Sequence, residues 1–447
     1  MIRIRKWMAL AMQRRVRAKI MRARNTQGTN SSELRTHAKK TGLVSYVDIT
    51  DLLCFLAHDH GVTGIPRVQL ELIAALLNVN RQQSVSSRME ILFCCRPDRG
   101  NSVFTLEHDI LVNLCRTRNH PNPQQGSTNR ILLSLFQSKA LVSVNKGDIY
   151  LVLGAFWNSL PYDRFLKHVS SSGVRTGALI YDILPYTHPQ YFLPDLANSF
   201  RRSLESMLAN ASFLLTISSH VAGEVNKVCM QRGSNNIWVK PLPLAHTLTV
   251  AAATKFYKGN DHSGLGEIVL SVSTIEIRKN HHRLVEVWKR LYRKFGEQLP
   301  KLVIVGRWGW DVEELRESLN SSNYVNQKVV IFNSVTDTEL AQLYDKCLFT
   351  TFVSLAEGWG LPIGESLSSG KTCVCSSTTS MPEVGGQFCE YVDPSDENDM
   401  FECFYKLLSS RNKIDELNQN IRLNFFPRGW DEVAVDFENA VAAIPSD

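Results

Sequence analysis

Two glutamates eight residues apart stand out in the run Ser354-Leu355-Ala356-Glu357-Gly358-Trp359-Gly360-Leu361-Pro362-Ile363-Gly364-Glu365. The residue types read as a strand end, a glycine-rich turn and a helix start, with Pro362 in a first turn where a missing N–H costs nothing. Glycines leave backbone N–H groups open to phosphate oxygens, and ionised carboxylates accept hydrogen bonds from hydroxyls. Such a segment suits a ligand that is both polyhydroxylated and phosphorylated. A second turn, Gly61-Val62-Thr63-Gly64-Ile65-Pro66-Arg67, opens a helix in the first half. Its glycines allow close backbone approach and its helix N-terminus favours an anion, with a plain connecting turn as the alternative.

These segments need rigid elements behind them, and the chain supplies two sets. From Leu43 onward, short apolar runs alternate with amphipathic stretches, the signature of parallel sheets covered by helices. Strands are expected near 44–49, 90–95, 148–153, 177–182 and 213–217, with helices at about 65–78, 195–209 and 219–230. The polar stretch 246–265 reads as the interdomain connection. The pattern then restarts, with strands near 267–272, 301–305, 328–332, 348–352 and 371–375 and helices at about 280–295, 310–320, 336–346, 361–369 and 396–409. The expected architecture is α/β: two Rossmann-like, doubly wound domains facing across a cleft, with the ligand between the carboxyl ends of their strands. The divisions are 1–42 as a basic arm and linker, 43–260 and 261–429 as the two domains, and 430–447 as a terminal helix crossing the hinge.

Composition excludes several classes. With 447 residues, 44% apolar and 21% charged, the chain is long enough for two cores. No uncharged apolar run reaches the length of a membrane span. The net charge of +7 is not evenly spread. Residues 1–40 hold twelve Lys/Arg against the single acid Glu33, whereas the rest holds 38 basic and 42 acidic residues, so the folded body is not a nucleic-acid binder by charge. In the arm, Trp7, Met8, Met12, Val16, Ile20 and Met21 recur at helical spacing between basic residues. This is a cationic amphipathic pattern that fits an anionic membrane face, or else a basic leader without function. Ten cysteines form no C-x-x-C pair and no zinc spacing. Most sit in apolar runs such as Leu92-Phe93-Cys94-Cys95, as reduced core residues of a cytoplasmic protein do.

The chain resembles the retaining glycosyltransferases of family 4, group 1 enzymes of the GT-B fold that carry an E-x7-E motif, read here as Glu357 and Glu365. Further landmarks follow in order: Ser273-Thr274-Ile275-Glu276-Ile277-Arg278-Lys279-Asn280-His281, Leu302-Val303-Ile304-Val305-Gly306, Ser380-Met381-Pro382-Glu383-Val384-Gly385-Gly386 and Tyr391-Val392-Asp393-Pro394. The resemblance implies that Glu357 meets donor-sugar hydroxyls, that the amides of Gly358, Trp359, Gly360 and Leu361 meet sugar and phosphates, and that Glu365 meets the ribose. Lys279 would meet the diphosphate and Arg278 would supply a second positive charge. Where many members have an arginine five residues before that lysine, this chain has Thr274. Ile180-Tyr181-Asp182-Ile183-Leu184-Pro185-Tyr186-Thr187-His188-Pro189 resembles the acceptor-side loop, with Tyr181 where a histidine is common and Asp182 retained. His188 is near enough in sequence to reach the cleft, and Ser218-Ser219 read as a helix N-cap on the acceptor side. The implied catalytic residues are Glu357, Lys279 and Asp182. The implied donor contacts are Arg278, Gly358, Trp359, Gly360, Leu361, Glu365 and Gly64.

No D-x-D sequence occurs, so neither a metal nor another cofactor is expected, the nucleotide diphosphate sugar being the donor substrate. Retention is then expected by front-face attack, with a donor phosphate oxygen taking the acceptor proton and no side-chain nucleophile. The expected acceptor is a saccharide or lipid-linked saccharide in polysaccharide or lipopolysaccharide assembly, at the cytoplasmic membrane face. The loop Glu276-Ile277-Arg278-Lys279-Asn280 favours a mannose-like donor by resemblance. Rival readings are a nucleotide-sugar epimerase or sugar phosphorylase on the same architecture, or a carbohydrate-binding scaffold without turnover.

Overall fold

The computed structural model describes residues 43–446, apart from 57–61, 63, 83–88, 97–100, 118–140, 159–161, 235 and 248–262. The basic arm and linker, residues 1–42, lie outside the described residues, as does most of the interdomain connection.

Eight strands form the first sheet: β1 (Leu43–Asp48), β2 (Met89–Cys95), β3 (Val103–Thr105), β4 (Leu141–Val142), β5 (Ile149–Val152), β6 (Arg175–Ile180), β7 (Phe213–Thr216) and β8 (Trp238–Pro241). Their order is β4-β3-β2-β1-β5-β6-β7-β8. The pairs from β2 through β8 are parallel, and β3 runs antiparallel to both its neighbours. β5 and β6 are buried at every position, as strands covered on both faces must be. β3, β4 and β8 have two to four residues each, too few to show a period, and sequence reading missed them.

The second sheet contains β9 (Ile268–Val272), β10 (Lys301–Val305), β11 (Val329–Phe332), β12 (Thr350–Phe352), β13 (Cys373–Ser376) and β14 (Glu390–Val392). Its order, β11-β10-β9-β12-β13-β14, is that of a doubly wound nucleotide-binding sheet, and all its pairs are parallel. Strand order reverses between β9 and β12, so the connections leaving these two parallel strands diverge and open a crevice. The helix expected from 310 begins at Glu313, because Asp311 adopts a positive φ of 56° and keeps the preceding residues in a turn.

The terminal helix Trp430–Ala442 returns to the first domain. Trp430, Val433, Phe437 and Val441 share one buried cluster with Leu72 and Leu76 of the helix Ile65–Gln82, and Arg175 Nη1 donates to the Ile444 carbonyl at 2.9 Å. The same cluster runs through Leu242 and Leu244 to Trp359 and Ile363, so apolar packing joins the domains just behind the glycine turn.

Candidate active site

The loops after β9 and β12 bring together the two segments that carry the chemistry. Asn280 ends the first loop in the left-handed conformation, φ 61°. Its amide nitrogen donates to the carbonyls of Val353 (3.1 Å) and Pro394 (2.8 Å), tying the loop to the end of β12. Leu355 N donates to Arg278 O at 2.8 Å, and Arg278 Nη1 donates to Ala356 O at 2.8 Å. The glycine turn is held from the other side. Glu357 N donates to Thr379 Oγ1 at 3.1 Å, while Ser380 Oγ donates to the carbonyls of Glu357 and Trp359 at 2.9 and 2.8 Å. Gly360, at φ 124°, then turns the chain into the helix Leu361–Ser368, a backbone conformation that favours glycine.

This framework produces a buried ion cluster. Glu357 Oε2 lies 2.7 Å from Arg278 Nη1 and its Oε1 lies 2.5 Å from Lys279 Nζ, while Arg278 Nη2 lies 2.8 Å from Glu276 Oε1. Burial opposes the charged form of Glu357, yet Arg278 and Lys279 outweigh it and hold the carboxyl at about 2. Burial, and next Arg278, push the Lys279 ammonium below its ordinary value. Burial raises Glu276 and Asp182 against the pull of Arg278. Two cations are thus parked on one carboxylate in a low-dielectric site, where they can shift onto an arriving phosphate while Glu357 accepts from hydroxyls.

The first domain closes over this cluster. A Cβ at Gly358 would overlap the Tyr181 carbonyl oxygen and stand 3.0 Å from Asp182 Cβ, so only glycine permits this approach. Asp182 accepts from Leu184 N at 3.0 Å and feels Arg278, Glu357 and Lys279 electrostatically. Tyr181, at the position where the resembled family commonly has a histidine, is buried and donates its hydroxyl to Leu153 O at 2.9 Å. It belongs to the core of the first domain and not to the ion cluster. Glu365, buried on the helix behind the turn, is 3.1 Å from Arg67 Nη1 and accepts the Tyr344 hydroxyl at 2.8 Å. Gly64 is exposed at φ 60°, a conformation that favours glycine, opening the helix that carries Arg67, and a Cβ there would meet no protein atom within 4 Å. His188 bonds Thr187 Oγ1 at 2.8 Å and stacks on Tyr191. Ser218 caps the helix Ser219–Gln231 by accepting from Val221 N, and the N–H groups of Ser219 and His220 donate across the cleft to Glu383 at 2.9 and 3.3 Å.

Sequence reading missed Arg67, Tyr344, Thr379 and the bracing role of Ser380. Arg67 had one signal, its place in the first turn of a glycine-led helix. Tyr344 had none, since it sits in an ordinary amphipathic helix, Asp337–Lys346.

Residues 255–424 match the family model of group 1 glycosyl transferases. This span holds the ion cluster, the glycine turn and Glu365. The chain is 27% identical over 214 residues to the serotype-specific mannosyltransferase WbdA of Escherichia coli, covering 45% of this chain and 26% of that protein. To O-antigen chain mannosyltransferase B of Escherichia coli it is 27% identical over 241 residues, 52% of this chain and 60% of that one. The chain therefore spans between about a quarter and three fifths of these relatives' lengths. Over 90% of its length it superposes on sucrose-phosphate synthase of Thermosynechococcus elongatus, covering 98% of that chain with a TM-score of 0.57 and 14% identity. The arrangement of two Rossmann-like domains is the GT-B fold. Among the described residues no helix is long and apolar enough to cross a membrane.

Proposed function

We propose that this protein is a retaining glycosyltransferase that moves a hexose from a nucleotide diphosphate donor to a saccharide or lipid-linked saccharide acceptor. The observation that carries the reading is the Arg278–Glu357–Lys279 cluster, set at the switch point of a group 1 domain with Asp182 facing it from the other domain. When the donor's glycosidic bond breaks, negative charge grows on the leaving diphosphate. In this reading Lys279, Arg278 and the amides of Gly358, Trp359, Gly360 and Leu361 stabilise that charge. Glu357 accepts from hydroxyls of the transferred sugar and Glu365 from the ribose. A donor phosphate oxygen takes the acceptor proton, so the configuration is retained without a side-chain nucleophile. Mannose is the preferred hexose, supported by the mannosyltransferase relatives, and polysaccharide or lipopolysaccharide assembly at the cytoplasmic membrane face is the setting that fits them. The test is incubation of the full-length protein with GDP-mannose and other nucleotide sugars plus saccharide acceptors, followed by NMR of the product anomer. Epimerisation without acceptor, release of a sugar 1-phosphate, nucleotide binding without turnover, or an inverted product would each reject the reading.

A further inference from the structure

The loop after β6 crosses the cleft twice. Its first residues, Tyr181 and Asp182, meet Gly358. Its later residues meet the turn that follows β10. There, Trp310 Nε1 donates to the Tyr191 carbonyl at 3.0 Å, and the rings of Trp310 and Phe192 lie 6.3 Å apart at an interplanar angle of 36°. The Arg278 guanidinium stands 5.9 Å from the Phe192 ring centre, and His188 stacks on Tyr191 at 5.9 Å and 6°. The turn bearing Trp310 is itself pinned to the loop that carries Arg278: Ile275 N donates to Arg307 O at 2.8 Å and Gly309 N donates to Ile275 O at 2.7 Å.

The neighbouring Trp308 packs on the core of the second domain. Tyr191, Phe192 and Trp310 belong to no core cluster and are all partly exposed. The Trp310 indole N–H ties its ring to the backbone of the first domain, and Phe192 lies near both Trp310 and the guanidinium that engages Glu357. Partly exposed rings set beside polar groups suit a ligand that has an apolar face and a hydroxyl rim. A pyranose is such a ligand, its C–H face lying on the electron-rich ring face. The wall draws residues from both domains and adjoins Arg278. A donor held by the second domain has no need of Tyr191 or Phe192.

We propose that Tyr191, Phe192 and Trp310 form the stacking wall of an acceptor subsite that takes a terminal pyranose ring. The inference deepens the glycosyltransfer reading and rests on it for the word acceptor, but the binding of a saccharide to these rings can be measured without turnover. Saturation-transfer NMR with mannotriose and with maltotriose, on the full-length protein, should show transfer to ring protons of at least one of them. Trp310→Ala and Phe192→Ala should each weaken that binding by about tenfold or more, Trp310→Phe should restore most of it, and GDP and UDP affinity should change by less than about twofold. Absence of saturation transfer to both trisaccharides in the wild type overturns the proposal. So does equal saccharide affinity in the alanine variants, or an equal loss of nucleotide affinity, which would make the rings a domain clasp only. If the wild type binds a trisaccharide through these rings but neither binds nor uses any nucleotide sugar, the glycosyltransfer reading fails while the subsite stands.

Discussion

Arg67 Nη1 lies 3.1 Å from Glu365 Oε1, joining the helix Ile65–Gln82 of the first domain to the helix behind the second domain's glycine turn. The second carboxylate oxygen is taken by Tyr344, and the Glu365 side chain is only 4% exposed. A carboxylate so enclosed depends on its cation, and a charge left unpaired there is costly. Denaturant unfolding of Arg67→Ala, Glu365→Gln and the double variant should give a coupling of about 1 to 3 kcal/mol. Strict additivity of the two single effects would show that the pair contributes nothing to the closed arrangement.

Glu357 and Glu365 should separate kinetically. Glu365→Ala is expected to weaken donor binding, whereas Glu357→Ala chiefly lowers turnover, because one carboxylate is assigned to the ribose and the other to the reacting sugar. Both effects should exceed about tenfold, or roughly 1.4 kcal/mol. Calorimetric titration of the donor beside initial-rate kinetics reads both, and neither variant reaching that size rejects the assignment.

His281, buried beside Lys279, should leave a mark on the pH dependence of stability. Burial, and next the Lys279 charge, push its imidazole down to about 3 from an ordinary 6.5. The unfolded chain therefore takes up this proton first as pH falls. The contribution is fully favourable above pH 6.5 and is lost between 6.5 and 3, at about 1.4 kcal/mol per pH unit. Unfolding midpoints between pH 7 and 4 should fall less steeply for His281→Asn than for wild type, and parallel curves would count against a buried neutral imidazole.

Transfer should persist in excess EDTA, since Lys279, Arg278 and turn amides are assigned the charge neutralisation that a cation would otherwise provide. The expectation comes from the missing D-x-D sequence. Full loss of activity that only magnesium or manganese restores would reverse it.

The arm, residues 1–40, carries twelve basic residues and one acid, and each Lys/Arg near an anionic surface contributes about 1 kcal/mol that salt screens. Deleting these residues should abolish salt-sensitive binding to vesicles containing phosphatidylserine while leaving donor affinity unchanged. A full-length protein that ignores such vesicles at low salt, or a truncated one that binds equally well, removes the membrane proposal.

What the sequence by itself determined is local. The period of apolar residues, the proline and glycines around 358–364 and the Arg278-Lys279 pair sufficed to anticipate two parallel-sheet domains and the loops that carry charge. Each of those signals is contained within a few residues of chain. The tertiary structure decided which partners those loops meet. That Arg67 reaches Glu365, that Glu383 accepts from the helix opening at Ser219, and that Trp310 reaches Tyr191 all depend on how two domains sit against each other. No local period records that placement. It is set by packing at the hinge, where Trp359 and Ile363 join Leu242 and Leu244, and by the terminal helix Trp430–Ala442 folding back onto the first domain. The Tyr181 position shows the same limit: the chain's departure from a common histidine was visible in the sequence, but only packing revealed that the side chain turns into the core and donates to Leu153.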